Sequence, residues 1–311
     1  MIRIIVDSAA NLPAETAEKY KIQVVPFINL VDGKEIPGFE PGLTPEEERE
    51  KGHAFYTSIS EGAEVKTSLV NAGTFTEVFE EVLKAGEDIV YISLSSNISG
   101  TFSAARIAAS DLSESYPERT IALVDSMNAS LAQGILAIYA RQMIEQGMGA
   151  EEIGQILNNA ALNMNGVFTV ENLKYLAKSG RILNTVALAG NLMSVKPILK
   201  GSKDGFIVQA KKVRGRKKSI DELVNAIVNN LVEPEKQILG IAHADAYEES
   251  LEIMERVQKV VKVKDFINTS YDFCTGSHVG PGALAVFFLA HDRELEGRKS
   301  GMPVPEIFRY L

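Results

Sequence analysis

Residues 93–101 read Ser-Leu-Ser-Ser-Asn-Ile-Ser-Gly-Thr, directly after the apolar run 89–92 and directly before a helical pattern. A strand that ends in hydroxyls at a helix start offers O–H groups, exposed backbone N–H groups and the positive end of a helix dipole. That combination favours an anion, and either a carboxylate or a phosphate suits it. Two further clusters have comparable chemistry. Lys66-Thr67-Ser68-Leu69 sets two adjacent hydroxyls ahead of a helix. Gly276-Ser277-His278-Val279-Gly280-Pro281-Gly282 predicts a tight loop that presents an imidazole just before a strongly apolar segment.

The common enzyme signatures are absent: no phosphate loop, no nucleophile elbow, no His-Glu-x-x-His and no dinucleotide-binding glycine motif after a strand. The four histidines, His53, His243, His278 and His291, are too dispersed to argue a metal site from spacing. A serine hydrolase remains open as an alternative, with Ser99 or Ser68 as nucleophile and His278 as base, and Asp272 the one nearby carboxylate able to complete a triad. A kinase resembling dihydroxyacetone kinase would rest on fold-level analogy alone, without nucleotide-binding residues.

The elements that must position these clusters follow from periodicity. Short apolar runs alternate with helical patterns in the first half, which predicts βαβ units and a mainly parallel sheet. Strands are expected at 2–6, 22–26, 89–94 and 120–124, with helices at 101–112, 131–144 and 151–162. Residues 29–60, polar and rich in Gly, Pro and Glu, read as a surface excursion. Residues 74–83 form the clearest helix, with Thr74 and Glu77 as a capping box and Gly86 as its stop. Three strand ends, at Asp7-Ser8, Ser93–Asn97 and Asp125-Ser126, crowd small polar residues onto the carboxyl edge, where open α/β sheets bind ligands; Asp7 and Asp125 individually read as caps. The pattern changes character near Asn165-Gly166. Beyond it, strands are expected at 206–213, 237–242 and 263–268, with helices at 220–231 and 247–261. The fold class is therefore α/β with two domains, 1–164 carrying the anion-binding loops and 165–311 forming a smaller second layer.

With 311 residues, 45% hydrophobic and 23% charged, the chain is that of an ordinary globular protein long enough for two cores. A net charge of −9 argues against nucleic acid as a partner. No apolar run reaches the ~20 residues of a membrane span or resembles a secretory leader. A cytoplasmic protein without stable membrane insertion is expected. The single cysteine, Cys274, cannot form an internal disulfide and reads as a small buried hydrophobe.

Taken in order, Asp7-Ser8, Thr67-Ser68, residues 95–102 and His278-Val279-Gly280-Pro281-Gly282 make the sequence resemble the DegV family of bacterial fatty-acid-binding proteins, the acyl-carrier subunits of fatty acid kinase. Residues 175–182, 195–199 and 213–218 are also similar to family segments, so the resemblance covers nearly the whole chain. It implies a carrier without turnover of its own that encloses one long-chain fatty acid such as palmitate, stearate or oleate between two α/β domains, with no cofactor and no metal. Carried over by position, the hydroxyls of Thr67, Ser68 and Ser99 and the N–H of Gly100 would bind the carboxylate, and His278 would approach it from the second domain. The partners implied are a fatty acid kinase catalytic subunit, which would phosphorylate the carboxylate, and an acyltransferase that uses the acyl phosphate. Arg181 matches a family arginine linked to docking or transfer.

Two departures stand out. Leu69-Val70-Asn71 replaces the family's polar residue followed by Pro-Ser, and Ile98 replaces the more usual Leu. Six cations fall within residues 211–218 of an otherwise acidic chain. Solvated strand ends are the ordinary explanation of such a run, and a kinase-docking face including Arg214 and Arg216 is the functional one.

Overall fold

The computed structural model describes residues 1–182, 194–297 and 301–311. The chain runs through β1 (Ile2–Asp7), α1 (Ala14–Lys19), β2 (Ile22–Val25), β3 (Ile28–Val31), β4 (Lys34–Pro37), α2 (Pro45–Glu61), β5 (Val65–Thr67), α3 (Ala72–Lys84), β6 (Asp88–Ser93), α4 (Thr101–Ser115), β7 (Ile121–Asp125), α5 (Leu131–Glu145) and α6 (Ala150–Ala160). It continues with β8 (Met164–Thr169), α7 (Lys174–Ser179), β9 (Val195–Gly201), β10 (Ile207–Arg214), α8 (Arg216–Asn230), β11 (Ile238–His243), α9 (Tyr247–Gln258), β12 (Asp265–Ser270), α10 (Phe273–Val279) and β13 (Leu284–Leu289).

The first sheet has the order β2-β1-β6-β7, and every pair in it is parallel, as expected from the sequence. Its central strands, β1 and β6, are buried on both faces over most of their length, so they read as apolar runs, while the edge strands β2 and β7 are only partly buried. The register sets Asp7 beside Val25, and Ser93 beside Asp125. All the polar strand ends therefore emerge at one edge. The second sheet has six strands in the order β10-β9-β8-β13-β11-β12 and is antiparallel except for the β11–β12 pair.

Between the sheets lies α5. Residues 131–140 are all buried and mainly apolar, the exception being Gln133, whose Nε2 donates to Ile92 O at 3.0 Å, which is the behaviour of a helix segment with no solvent face. It packs on β1 and β6 on one side and on β8, β11 and β13 on the other. Gly240 of β11 permits that approach, since a Cβ there would stand 2.9 Å from Leu131 Cβ. One apolar cluster consequently joins the first sheet, α5 and the second sheet.

Several expectations from sequence are corrected. Residues 29–60 are not a bare excursion: β3 and β4 form a hairpin that pairs with β5 in a three-stranded antiparallel sheet, and α2 spans 17 residues. The hairpin turns at Asp32-Gly33, both with positive φ (49° and 81°), the backbone that this dipeptide favours in two-residue turns. The capping box sits at Thr44 and Glu47 of α2, with both reciprocal hydrogen bonds made, and not at Thr74. Helix α3 begins earlier because Asn71 caps it, its side chain accepting from Thr74 N at 3.0 Å. Residues 276–279 continue a helix rather than forming a loop. Asp272 starts α10 by accepting from Thr275 N at 2.9 Å, and Gly276 is kept because a Cβ there would meet the Tyr56 hydroxyl at 1.9 Å. Here tertiary packing outweighs the ~1 kcal/mol that glycine costs inside a helix. Strands β8, β9 and β13 were not foreseen.

Candidate functional site

Three elements from distant parts of the chain meet at the polar edge of the first sheet. Strand β5 delivers Thr67 and Ser68. Ser68 is fixed by Ile28, whose carbonyl accepts from both its backbone N (3.1 Å) and its Oγ (3.0 Å). The β6–α4 loop delivers Ser99 and Gly100. Ser95 N donates to Asn128 O at 2.6 Å, and Ser99 N returns to Ser95 O at 3.3 Å. The Asp125 carboxylate accepts from Ser96 N at 3.3 Å and from Met127 N at 2.9 Å, while Asp7 accepts from Ala9 N at 3.1 Å. Asp7 thus caps the short helical turn that follows β1, as expected, and also accepts from the Tyr91 hydroxyl at 2.9 Å, whereas Asp125 caps no helix and instead ties two loops together through their backbone. Ser95 Oγ and Asn97 Nδ2 donate to the carbonyls of Gly205 (2.9 Å) and Asp204 (2.6 Å), tying the loop to the β9–β10 hairpin of the second sheet.

Ser99 Oγ lies 2.9 Å from Thr101 Oγ1 and accepts from Thr101 N at 3.2 Å. Gly100 is the N-cap of α4, which has no side-chain cap. The first turn of a 15-residue helix is therefore open to an acceptor from outside it. Helix α10 supplies His278, whose Nε2 lies 3.3 Å from Thr67 Oγ1. Burial, and after it the charge of Arg181, pushes the imidazole down to about 4, so it is neutral at pH 7.

These groups line one cavity of about 200 Å³ together with Phe27, Leu69, Leu94, Ile98, Ala129, Leu176, Ile207, Cys274 and Val279. The lining thus combines hydroxyl, imidazole and backbone donors with apolar side chains. Thr67, Ser68, Ser99, Gly100 and His278, separated by up to 211 residues in sequence, are all brought together. Arg181 is here as well, its Nη1 donating to Ser179 O. It also lines the two open clefts that adjoin the cavity, of about 660 and 350 Å³.

Arg214 and Arg216 are not part of this wall. Arg214 is exposed at the end of β10, roughly 20 Å along the strand from Ile207 at about 3.3 Å per residue. Arg216 donates through Nε (2.9 Å) and Nη2 to Glu249, and its Nη1 stands 3.2 Å from Glu171.

The hydrolase arrangement does not form. Ser68 Oγ is engaged by a carbonyl, Ser99 Oγ by Thr101, and His278 Nε2 faces threonine. Asp272 Oδ1 caps its own helix, and Oδ2 is enclosed without a hydrogen-bond partner among the described residues. Burial raises this carboxyl to about 6. Cys274 is 8% exposed, and burial pushes its thiol upward, away from the reactive thiolate. Among the described residues, no group of three His, Cys, Asp or Glu side chains could hold a metal ion, and no helix is long and apolar enough to cross a membrane.

Sequence reasoning missed Arg293. It is 4% exposed and donates to the carbonyls of Met127 (2.8 Å), Ser202 (2.6 Å) and Ala161 (2.8 Å), locking the β7–α5 loop to the second sheet. Burial lowers its pKa to about 10. No local signal marks it, because its partners are all backbone carbonyls distant in sequence.

The family model described as "Uncharacterised protein, DegV family" matches residues 1–291. A DegV domain-containing protein of Clostridium perfringens is 37% identical over 292 residues, covering 94% of this chain and 98% of that one. Among solved structures, a DegV lipid binding protein from Thermotoga maritima is 29% identical with a TM-score of 0.77, covering 94% of this chain and 99% of its own. DegV of Bacillus subtilis, described as a fatty acid binding protein, is likewise 29% identical with a TM-score of 0.77, covering 93% of this chain and 99% of its own. With the family model spanning the motifs at both ends of the cavity, this chain belongs to the DegV family.

Proposed function

We propose that the protein binds one long-chain fatty acid in the cytoplasm, holds its carboxylate on Thr67, Ser68, Ser99, the Gly100 N–H and His278, and presents it to a kinase subunit that forms the acyl phosphate for an acyltransferase. The observation that carries this reading is that a single cavity is lined both by hydroxyl and imidazole groups and by apolar side chains. Each CH₂ of an acyl chain that is buried gains ~0.8 kcal/mol, so the polar groups need only to orient the head group. Neutral donors suit that task. They hold a carboxylate without neutralising it, which keeps its oxygen nucleophilic toward a phosphorus atom. Arg181 lines the cavity and both open clefts, which supports a role for it in offsetting charge as a phosphoryl group arrives. Arg214 extends a basic face toward an acidic or ATP-bearing partner, whereas Arg216 is occupied by Glu249 and Glu171.

Titration with hexadecanoate tests the binding step. The paired variant Thr67→Val/Ser99→Ala should bind at least ~10-fold more weakly than the parent, since hydrogen bonds to a charged group contribute ~1.5–3 kcal/mol; equal affinities would contradict the assignment. For the kinase step, Arg214→Glu should slow acyl phosphate formation with fatty acid binding intact, and an unchanged rate would remove the docking role.

A further inference from the structure

Ser95 is the fixed point of the loop that presents Ser99 and Gly100. Its backbone N–H donates to Asn128 O and its hydroxyl to Gly205 O, while its carbonyl accepts from Ile98 N at 3.1 Å and from Ser99 N at 3.3 Å. The turn is therefore closed on a residue whose outer supports belong to different sheets: the β7–α5 loop of the first and the β9–β10 turn of the second. The β7–α5 loop needs holding. Met127 and Ser130 have positive φ, at 52° and 59°, a backbone that residues with a Cβ adopt only when their surroundings impose it. The β9–β10 turn comes so close that a Cβ on Gly205 would meet Ser95 Oγ at 2.4 Å. Both supports end on one buried guanidinium. Arg293 Nη1 donates to Met127 O, next to Asn128, and to Ser202 O, the same carbonyl that accepts from Gly205 N at 3.1 Å. Its Nη2 donates to Ala161 O at the end of α6, where the negative end of the helix dipole faces the cation. Among the described residues its acceptors are all backbone carbonyls. A planar fork of N–H donors serves carbonyls on separate segments at once, which a single ammonium cannot. Gly201 leaves room for it, since a Cβ there would stand 2.9 Å from Nη1.

We infer that Arg293 is a positioning residue for carboxylate recognition: by holding both supports of Ser95 it sets where Ser99 and Gly100 stand in the cavity, although it does not line the cavity itself. The inference rests on the fatty-acid reading above. Loss of the fork frees Met127 O and Ser202 O to move apart, and Ser95 then follows one support or the other. The Ser99 hydroxyl and the Gly100 N–H shift with it. The apolar lining contributed by Phe27, Leu176 and Val279 comes from other elements and stays in place. The head group of a bound lipid therefore feels Arg293, and the far end of its chain does not.

NMR of bound hexadecanoate, labelled with ¹³C at its carboxyl carbon or at its terminal methyl, tests this. Arg293→Lys keeps the charge and loses the fork. It should shift or broaden the carboxyl resonance, leave the methyl resonance as in the parent, and weaken hexadecanoate binding about tenfold, the scale of one hydrogen bond to a charged group. Gly201→Ala crowds the guanidinium without removing it and should have the same effect on the carboxyl resonance; it carries the test if the lysine variant does not fold. Arg141→Lys is the matched control, because Arg141 likewise donates to backbone carbonyls, those of Tyr20 (2.8 Å) and Lys21 (3.0 Å), and does not line the cavity. Its replacement should move neither resonance. A carboxyl resonance unchanged in the Arg293 and Gly201 variants overturns the inference while leaving the fatty-acid reading intact. Equal movement of the carboxyl and methyl resonances also overturns it, since Arg293 would then serve only the stability of the fold. A parent that binds no hexadecanoate refutes the fatty-acid reading and the inference with it.

Discussion

At the scale of single residues, the hydroxyls and the imidazole were legible because their types are unusual where they stand. Five hydroxyls at a strand end and a histidine among glycines stand out in the sequence, although some of them have structural roles: Ser95 Oγ ties its loop to Gly205, and Gly276 makes room for Tyr56. Their convergence followed from the family resemblance and not from the residue pattern, since the 3.3 Å approach of Thr67 to His278 depends on the pairing of β5 with β3, which has no local signal. The same residues set the response to pH. Burial lowers His243 and His278 to about 4 from 6.5. The unfolded chain therefore takes up the proton first, and the stability each histidine contributes is present above about pH 6.5 and lost as pH falls toward 4. Asp7 and Asp272, raised to about 6 from 3.8, act in the opposite sense: the folded chain holds the extra proton as pH falls from about 6 to 3.8, and stability is gained. The two pairs offset each other in the parent. His278→Gln removes one contribution, so in urea unfolding between pH 6.5 and 4 the variant should gain on the parent by up to ~1.4 kcal/mol per pH unit. Parallel pH profiles would show that this imidazole is not held neutral.

At the scale of elements, the parallel strands and the helices that follow them were readable, because burial on both faces writes itself as apolar runs and α5 as an apolar helix. The β3–β4 hairpin was hidden by its composition, although Asp32-Gly33 carried the turn signal. The Thr-x-x-Glu pattern occurs at both Thr44 and Thr74, and only the first marks a helix start, because Asn71 has already begun α3 two residues before Thr74. This bears on the family departure at Leu69-Val70-Asn71. Asn71 offers a side-chain oxygen to the helix just as serine would, so the substitution preserves the cap that follows Thr67-Ser68. Asn71→Ala should cost about 1 kcal/mol in denaturant unfolding, and Asn71→Ser should restore most of it. If the alanine variant is as stable as the parent, the cap does not anchor this segment.

At the scale of the whole molecule, the alternation of apolar runs with helical patterns supplied the α/β class, but it could not show how the two sheets share a core. That arrangement comes from α5, from the loop anchors Ser95 and Asn97, and from the buried Arg293, all joining segments far apart in sequence. It places the carboxyl edge of the first sheet against α10 and the α7 end of the second layer, which is how a cavity lined by both polar and apolar groups arises. The central claim is that this cavity is a lipid site. Native mass spectrometry of the protein purified from cells, before and after organic extraction, tests it most directly. A single added mass corresponding to one long-chain fatty acid, removed by extraction and regained on adding hexadecanoate, is the expected result. A protein that is empty as purified, takes up no added fatty acid and cleaves model esters in a Ser99-dependent manner would contradict it.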